Sequence, residues 1–368
     1  MKELMIEATQ LTKMLATHKE HLKTQKNNTT IHFSVTEYGK LYVSSVNDET
    51  KSHCQTCEHV LNVDGQDFNF STNVIEFSKT IKMFGKESVK INVDGENIVL
   101  TSISSTTEIE NVTPELKTFE QDGRIDVAFN IENNVLLDIL NKFKPFHKAD
   151  YYTRPSLNSI YFELDKDACT MTITATNANI LMTETIKFDV ETTANFLLTE
   201  KNIDVLKKML DKKGQTIFYI GKKSLHIETN GQFLIANNSD LKYPDYRVVF
   251  PIDEPFKVTF DRKQFLELIN GLKDSFDKDF KSVQLELFNN TAKITRINCD
   301  SHLPKFEKTI DCDYFEDNYF VGFNLDLLLP ILKTISSEKV TFEMTTPSRA
   351  IIIRDETKYI LLMPVMRG

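Results

Sequence analysis

Apolar residues recur at helical spacing six times along the chain: Leu11, Met14, Leu15; Val74, Phe77, Ile81, Phe84; Leu136, Ile139, Leu140, Phe143; Ile203, Leu206, Leu210; Phe265, Leu268, Ile269, Leu272; and Leu328, Ile331, Leu332, Ile335. The first members lie 63, 62, 67, 62 and 63 residues apart, which marks an internal repeat. Four of these helices follow a short alternating strand and a residue able to cap a helix: Ser71, Asn130, Asp261 and Asn324. Segments of strand character come after each helix, such as Ser88 to Val93, a turn at Asp94-Gly95, and Asn97 to Thr101. Thr216 to Ile220 with Ser224 to Glu228, and Lys339 to Met344 with Ala350 to Arg354, repeat the theme. Each unit therefore reads as one helix and about four strands. A unit of this size buries its helix poorly alone, so the units are expected to pair into three domains. The expected architecture is α+β, three similar domains of two helices backed by antiparallel sheets, with boundaries near Glu120 to Gly123 and Ile252 to Pro255. That gives 1–122, 123–252 and 253–368.

Composition narrows the class. The 368 residues are 40% hydrophobic and 26% charged, with eleven glycines and ten prolines, within the globular range and outside the disordered one. No apolar run approaches the roughly 20 residues that cross a bilayer, and Met1 to Glu7 has no signal-peptide core, so a cytoplasmic location is expected. Five cysteines without framework spacing fit a reducing compartment.

Charge follows the repeat. The net charge of −9 argues against a protein that coats nucleic acid with its whole surface. Yet the windows 12–26, 78–86, 141–154 and 200–213 hold sixteen Lys and Arg against five acids. Helix 5 shows no surplus, with five bases and five acids in 261–281, and helix 6 shows none either. Solvated helix faces often carry lysine, which accounts for any one helix better than for four together. Units stacked edge to edge through their sheets can close into a ring lined by helices about 10 Å apart. Six helices leave a hole of some 9 Å and twelve leave some 28 Å, against a duplex of roughly 20 Å. One chain is too small to encircle DNA and two suffice. A homodimer with head-to-tail contacts is expected, with Ile109 on the strand Thr106 to Val112 meeting the region of Leu272 and Phe276. Lys23, Lys26, Lys82, Lys148, Arg154, Lys201 and Lys208 are the candidate phosphate contacts, without sequence preference.

The segment Leu241-Lys242-Tyr243-Pro244-Asp245-Tyr246-Arg247-Val248-Val249-Phe250-Pro251 resembles the F/Y-P-D-Y-R stretch of the bacterial β sliding clamp, the β subunit of DNA polymerase III. The ending Leu361-Leu362-Met363-Pro364-Val365-Met366-Arg367 is similar to that family's M-P-[VMI]-R terminus, and Phe323-Asn324 with its following helix also fits. The resemblance spans the chain, most weakly in its first third. It implies the DNA clamp fold, a homodimeric ring sliding on duplex DNA, no catalytic activity and no cofactor or metal. It also implies tethering of a polymerase and a clamp loader through short Leu- and Phe-bearing peptides. Carried over by position, the peptide groove is lined by Leu157, Thr176, Leu181, Pro244, Val249, Leu361, Met363, Pro364 and Val365. Aliphatic and methionine side chains beside two prolines suit such an apolar slot. For each of these residues singly, an ordinary core position is the competing reading. The family's T-D-G-H-R-L stretch is replaced by Thr176-Asn177-Ala178-Asn179-Ile180-Leu181, and Lys23 to Thr30 lacks its L-P-I-L signature. These departures describe a divergent member, such as a plasmid or phage copy. The alternative is a clamp-like scaffold that binds partners without stable DNA threading.

Other motifs lose on spacing. His53-Cys54-Gln55-Thr56-Cys57-Glu58-His59 could hold zinc, but a strand would turn Cys54 and Cys57 to opposite faces. Gly85-Lys86-Glu87-Ser88 and Gly221-Lys222-Lys223-Ser224 lack the first glycine of a phosphate loop. Gln284-Leu285-Glu286-Leu287-Phe288 resembles a clamp-binding peptide, but its alternation with Val283 reads as a structural strand. No nucleophile and base stand at a spacing that supports an enzyme.

Overall fold

The computed structural model describes residues 2–25, 29–112, 125–147, 155–237, 242–251, 256–273, 276, 281–297, 306–316 and 318–365. Among them the sixfold repeat is explicit. The first copy comprises β1 (Lys2–Glu7), α1 (Ala8–His21), β2 (Thr30–Val35), β3 (Lys40–Asn47) and β4 (Ser52–His59), with a two-residue β5 (Leu61–Asn62) added. The second is β6 (Phe68–Asn73), α2 (Val74–Met83), β7 (Ser88–Asp94), β8 (Asn97–Thr101) and β9 (Thr106–Glu110). The third is β10 (Ile125–Glu132), α3 (Asn133–Phe143), β11 (Ser159–Asp165), β12 (Thr170–Thr176) and β13 (Ile180–Lys187). The fourth is β14 (Ala194–Thr199), α4 (Glu200–Met209), β15 (Gln215–Gly221), β16 (Ser224–Thr229) and β17 (Gln232–Asn237). The fifth is β18 (Phe256–Asp261), α5 (Arg262–Lys273), β19 (Ser282–Phe288), β20 (Thr291–Arg296) and β21 (Glu307–Asp311). The sixth is β22 (Tyr319–Asn324), α6 (Leu325–Thr334), β23 (Lys339–Met344), β24 (Ile351–Asp355) and β25 (Lys358–Leu362).

Local chemistry explains the element ends. Asn324 and Asp261 cap α6 and α5, accepting from Asp326 N at 2.8 Å and Gln264 N at 2.8 Å. For α2 the cap is Asn73 and not Ser71: its Oδ1 accepts from Ile75 N and Glu76 N, while Ser71 lies inside β6. Asn130 likewise sits within β10, three residues before α3 begins. The error has one cause, since a strand running straight into a helix hides its last residues from a pattern of alternation. The turn after β7 is Gly95-Glu96, with Asp94 already paired to Asn97. Gly95 holds φ +57°, and Asn289 and Asn290, joining β19 to β20, hold +46° and +57° as a tight hairpin requires.

Paired copies exchange their first strands. β1 joins β7, β8 and β9, whereas β6 joins β2, β3 and β4. In the same way β10 joins β15 to β17, β14 joins β11 to β13, β18 joins β23 to β25, and β22 joins β19 to β21. Six four-stranded blocks result, and no copy completes its own block. Blocks also fuse: β4 pairs with β17 and β13 with β25, producing two sheets of eight strands. By contacts the chain forms two compact units, residues 1–140 with 198–241, and 141–197 with 242–368. In the first, α1 packs on α2 and α4, and Phe33 stacks on Phe70 at 4.3 Å. In the second, α5 packs on α6, and Phe260 stacks on Phe265 at 4.5 Å.

Candidate functional site

The nine groove candidates all belong to the second unit. Thr176, Leu181 and Leu361 are register partners across β12, β13 and β25, and the row continues to Ile352 in β24. Opposed residues share a face, so these four form one stripe. The stripe is buried, as is Leu157 before β11. Thr176 spends its hydroxyl on Ile180 O, donating at 2.7 Å. Pro244 and Val249 are exposed, and Met363, Pro364 and Val365 are half-buried. The candidates thus separate into a buried floor and an accessible wall.

The motif that carried the resemblance positions that wall. Asp245 caps a short 3-10 turn, accepting from Arg247 N at 3.2 Å, and Tyr243 stacks on Tyr161 at 4.8 Å. Arg247 donates to both oxygens of Glu163, at 2.9 and 3.0 Å, and Tyr246 donates to the same carboxylate at 2.7 Å. The Tyr246 phenol is pushed up, first by burial and then by Glu163, and the bond to Glu163 raises Arg247. Val248 and Val249 stand exposed beyond this anchor. The final segment is tied down as well: Met363 N donates to Asn179 O at 2.8 Å and Val365 N to Gly322 O at 2.9 Å. Ala178, in the loop that receives Met363, holds φ +73°.

Sequence reasoning missed the far side of Val365. A cavity of about 230 Å³ there is lined by Gln284, Ile297, Phe320, Val321, Gly322 and Pro347. A Cβ on Gly322 would lie 2.6 Å from Val365 O, so glycine is what admits the final segment. The lone glycine in the alternating run Val321-Gly322-Phe323 was the available signal. Tyr161 and Glu163, the partners of the motif, gave no signal because they lie some 80 residues upstream of it.

In the first unit, Lys23, Lys82 and Lys208 are exposed and Lys201 is half-buried; Lys26, Lys148 and Arg154 lie outside the described residues. Lys23 is paired with Glu20 at 3.0 Å, with Glu200 and Asp204 also acting on it, so its charge is partly spoken for. Behind α1 a polar chain crosses the core. His18 Nε2 meets Thr56 Oγ1 at 2.9 Å, and both His18 Nδ1 and His21 Nδ1 meet Ser45 Oγ, at 2.7 and 2.8 Å. His21 Nε2 meets Ser52 Oγ at 2.8 Å, which meets Thr50 Oγ1 at 2.6 Å. One hydroxyl hydrogen cannot serve two rings, so at least one imidazole donates to Ser45 Oγ, and the chain can be satisfied with both rings neutral. Burial pushes both rings down to about 3. On β4, Cys54 is buried and Cys57 half-buried on the opposite face, as the alternation required.

The interface candidates divide. Ile109 is buried in its own core cluster, because it faces Ile98 across the sheet. What β9 offers outward is its backbone edge with the exposed Glu108 and Glu110. Leu272 lines a cavity of about 760 Å³ with Leu268, Gly271, Arg296, Phe306 and Ile310, between α5 and β21. Phe276 lies against the Arg296 guanidinium, 4.9 Å from the ring centre. Both β9 and β21 end their sheets, without a further strand among the described residues.

Residues 130–245 match the family model for the central domain of the DNA polymerase III beta subunit, and residues 247–365 match that for its C-terminal domain. The beta sliding clamp of Vibrio cholerae is 21% identical over 250 residues, 67% of each chain. That of Pseudomonas putida is 20% identical over 280 residues, 74% of this chain and 75% of its own. The crystal structure of the Pseudomonas aeruginosa DNA polymerase III subunit beta superposes with a TM-score of 0.85 at 18% identity, covering 99% of this chain and 100% of that one. The Bartonella birtlesii sliding clamp bound to griselimycin gives 0.88 at 16%, covering 100% of both chains. The Helicobacter pylori beta clamp bound to a DNA ligase peptide gives 0.83 at 18%, again with both chains covered at 100%. A sixfold repeat, a tethered Met-Pro ending and two contiguous domain matches converge on one conclusion: the chain belongs to the β sliding clamp family, as a divergent member.

Proposed function

We propose that the protein is a DNA sliding clamp in which two copies close head to tail into a ring around duplex DNA. The observation that carries this reading is the fate of the last strand in each repeat. Those of copies one and four are joined, as are those of copies three and six, while those of copies two and five, β9 and β21, are left as open edges. An open strand edge is a template for another chain. Among the described residues the quasi-equivalent partner left for β21 is a β9, and a cavity holding Leu272 lies beside it. Paired repeats that exchange strands make three domains, 1–122, 123–252 and 253–368, so a dimer holds six.

Lys82 and Lys208, exposed on α2 and α4, are the stronger phosphate contacts, and Lys23 the weaker. Short Leu- and Phe-bearing peptides of a polymerase and a clamp loader fit the wall formed by Pro244, Val249, Met363, Pro364 and Val365; the Helicobacter clamp with its DNA ligase peptide supplies the class of ligand. The protein acts by topology and tethering, not by catalysis. Sedimentation at micromolar concentration should show twice the 42.4 kDa chain. Loaded protein should stay on nicked circular DNA and leave linear DNA, and K82E with K208E should shorten retention. Dimers that bind partner peptides but are never retained on circles would favour the scaffold reading, which the even balance of bases and acids around α5 favours.

A further inference from the structure

We infer the residue-by-residue register of the joint between copies, which sets Thr107 of β9 opposite Phe306 beside the partner's β21. The inference rests on the head-to-tail dimer proposed above, and it follows from internal repetition.

Each repeat supplies a reference residue. In five copies, the residue preceding a helix pairs with the start of a strand: Glu7 with Ser88, Asn73 with Thr30, Glu132 with Gln215, Asp261 with Lys339, and Asn324 with Ser282. Three residues further on stand Ile91, Phe33, Phe218, Phe342 and Leu285. Crossing two ladders from these leads to Thr107 in β9, Thr56 in β4, Leu234 in β17, Ile360 in β25 and Lys308 in β21. In the remaining copy Phe162, stacked on Phe196 as Phe33 is on Phe70, leads through Ile173 to Glu184 in β13.

Both joints obey one rule. Leu234 pairs with Cys54, two residues before Thr56, and Ile360 pairs with Met182, two residues before Glu184. In each case the reference residue of the even copy faces the residue two before that of the odd copy. Two joints with unrelated side chains share this offset, so the backbone and twist of the blocks set it. Applied to copies two and five, the rule sets Thr107 opposite Phe306, Thr106 opposite Glu307 and Ser105 opposite Lys308.

The side chains agree. Lys308 pairs with the buried Ile294, so Phe306, Lys308 and Ile310 turn to the α5 side of the sheet; with Thr309 and Asp311 they line the cavity, and pairing brings Thr107 to its rim on that same face. A one-residue slip would set the helix-facing Thr107 opposite the outward Glu307. A two-residue slip toward the end of β9 would set Glu108 directly opposite Glu307, a destabilising like-charge pair.

Cysteine pairs test the register. Directly opposed residues have Cβ atoms about 4.5–5.5 Å apart, closest where the pair is not hydrogen-bonded, within reach of a disulfide after small adjustment. Adjacent pairs alternate in bonding, so T107C with F306C and T106C with E307C together cover both phases. Under mild oxidation at least one of these double variants should convert most of the protein into covalent dimers on a non-reducing gel. The slipped pair T106C with T309C, and each single variant, should give only trace product. Preferential linkage of T106C with T309C, or no linkage of either in-register pair while the reduced proteins sediment as dimers, overturns the register and leaves the ring intact. With the native cysteines replaced by serine in every variant, strong linkage of T107C alone means β9 meets β9, which overturns it too. Reduced wild-type protein that sediments only as single chains overturns the ring reading itself.

Discussion

The joint of β4 with β17 and the joint of β13 with β25 share a register and little else. In the second, Ile180, Leu181 and Met182 face Leu362, Leu361 and Ile360, and Glu184 at its end is held by Lys142 at 3.0 Å. In the first, Ser52, His53, Cys54 and Gln55 face Ala236, Ile235, Leu234 and Phe233, with His18 and His21 bonded behind β4. The ladder therefore needs no particular side chains, and each joint is free to acquire its own chemistry. The apolar joint floors a candidate peptide slot. The polar joint contains imidazoles that must remain neutral, and this makes it the place where acid attacks.

The largest expected effect lies there. His18 and His21 are held near 3 in the folded chain against an ordinary 6.5. Between those values the unfolded chain binds more protons, so stability is intact above about pH 6.5 and declines as pH falls toward 3. At pH 5 each ring contributes about 2 kcal/mol of destabilisation, at about 1.4 kcal/mol per pKa unit. Hydrogen exchange should show amides of α1 and β4 losing protection between pH 7 and 5 while those of β13 and β25 keep theirs. A His21→Leu, Ser52→Ala variant should show about half the acid slope; an unchanged slope would free the network of blame.

Next in size is the effect expected at the candidate peptide slot. Truncation after Leu362 removes Met363, Pro364 and Val365 and should weaken a Leu- and Phe-bearing peptide at least 100-fold, about 2.7 kcal/mol. It also removes the bonds from Met363 to Asn179 and from Val365 to Gly322, at about 1 kcal/mol each, so the melting temperature should drop by a few degrees. Titration calorimetry beside a melting curve separates the two, and peptide binding that survives truncation would move the slot elsewhere. Smallest is Arg247→Ala. The pair with Glu163 is 60% exposed on the arginine side and is worth less than about 1 kcal/mol to folding, measurable by urea titration.

The helices, the caps at Asp261 and Asn324 and the strand order within each repeat were legible because they depend on neighbours in sequence. Strand exchange was not, since nothing local distinguishes β1 beside β7 from β1 beside β2. The groove shows the same divide. Met363 and Pro364 were visible as a motif, whereas the role of Gly322 depends on a carbonyl 43 residues away in the chain. The inward turn of Ile109 was not legible either: a strand that ends a sheet still has one face in the core, and alternation alone does not say which side chain turns inward.

The β4 and β17 joint also sets a timetable for synthesis. β4 is complete at His59, but β17 begins only at Gln232. At roughly 5–20 residues per second, the β4 edge waits on the order of 10–35 s for its partner to leave the ribosome. Throughout that interval a nascent chain presents an unclosed strand edge, open to pairing with its neighbours on the same message. The speed of translation between residues 60 and 232 sets how long that edge stays without its partner.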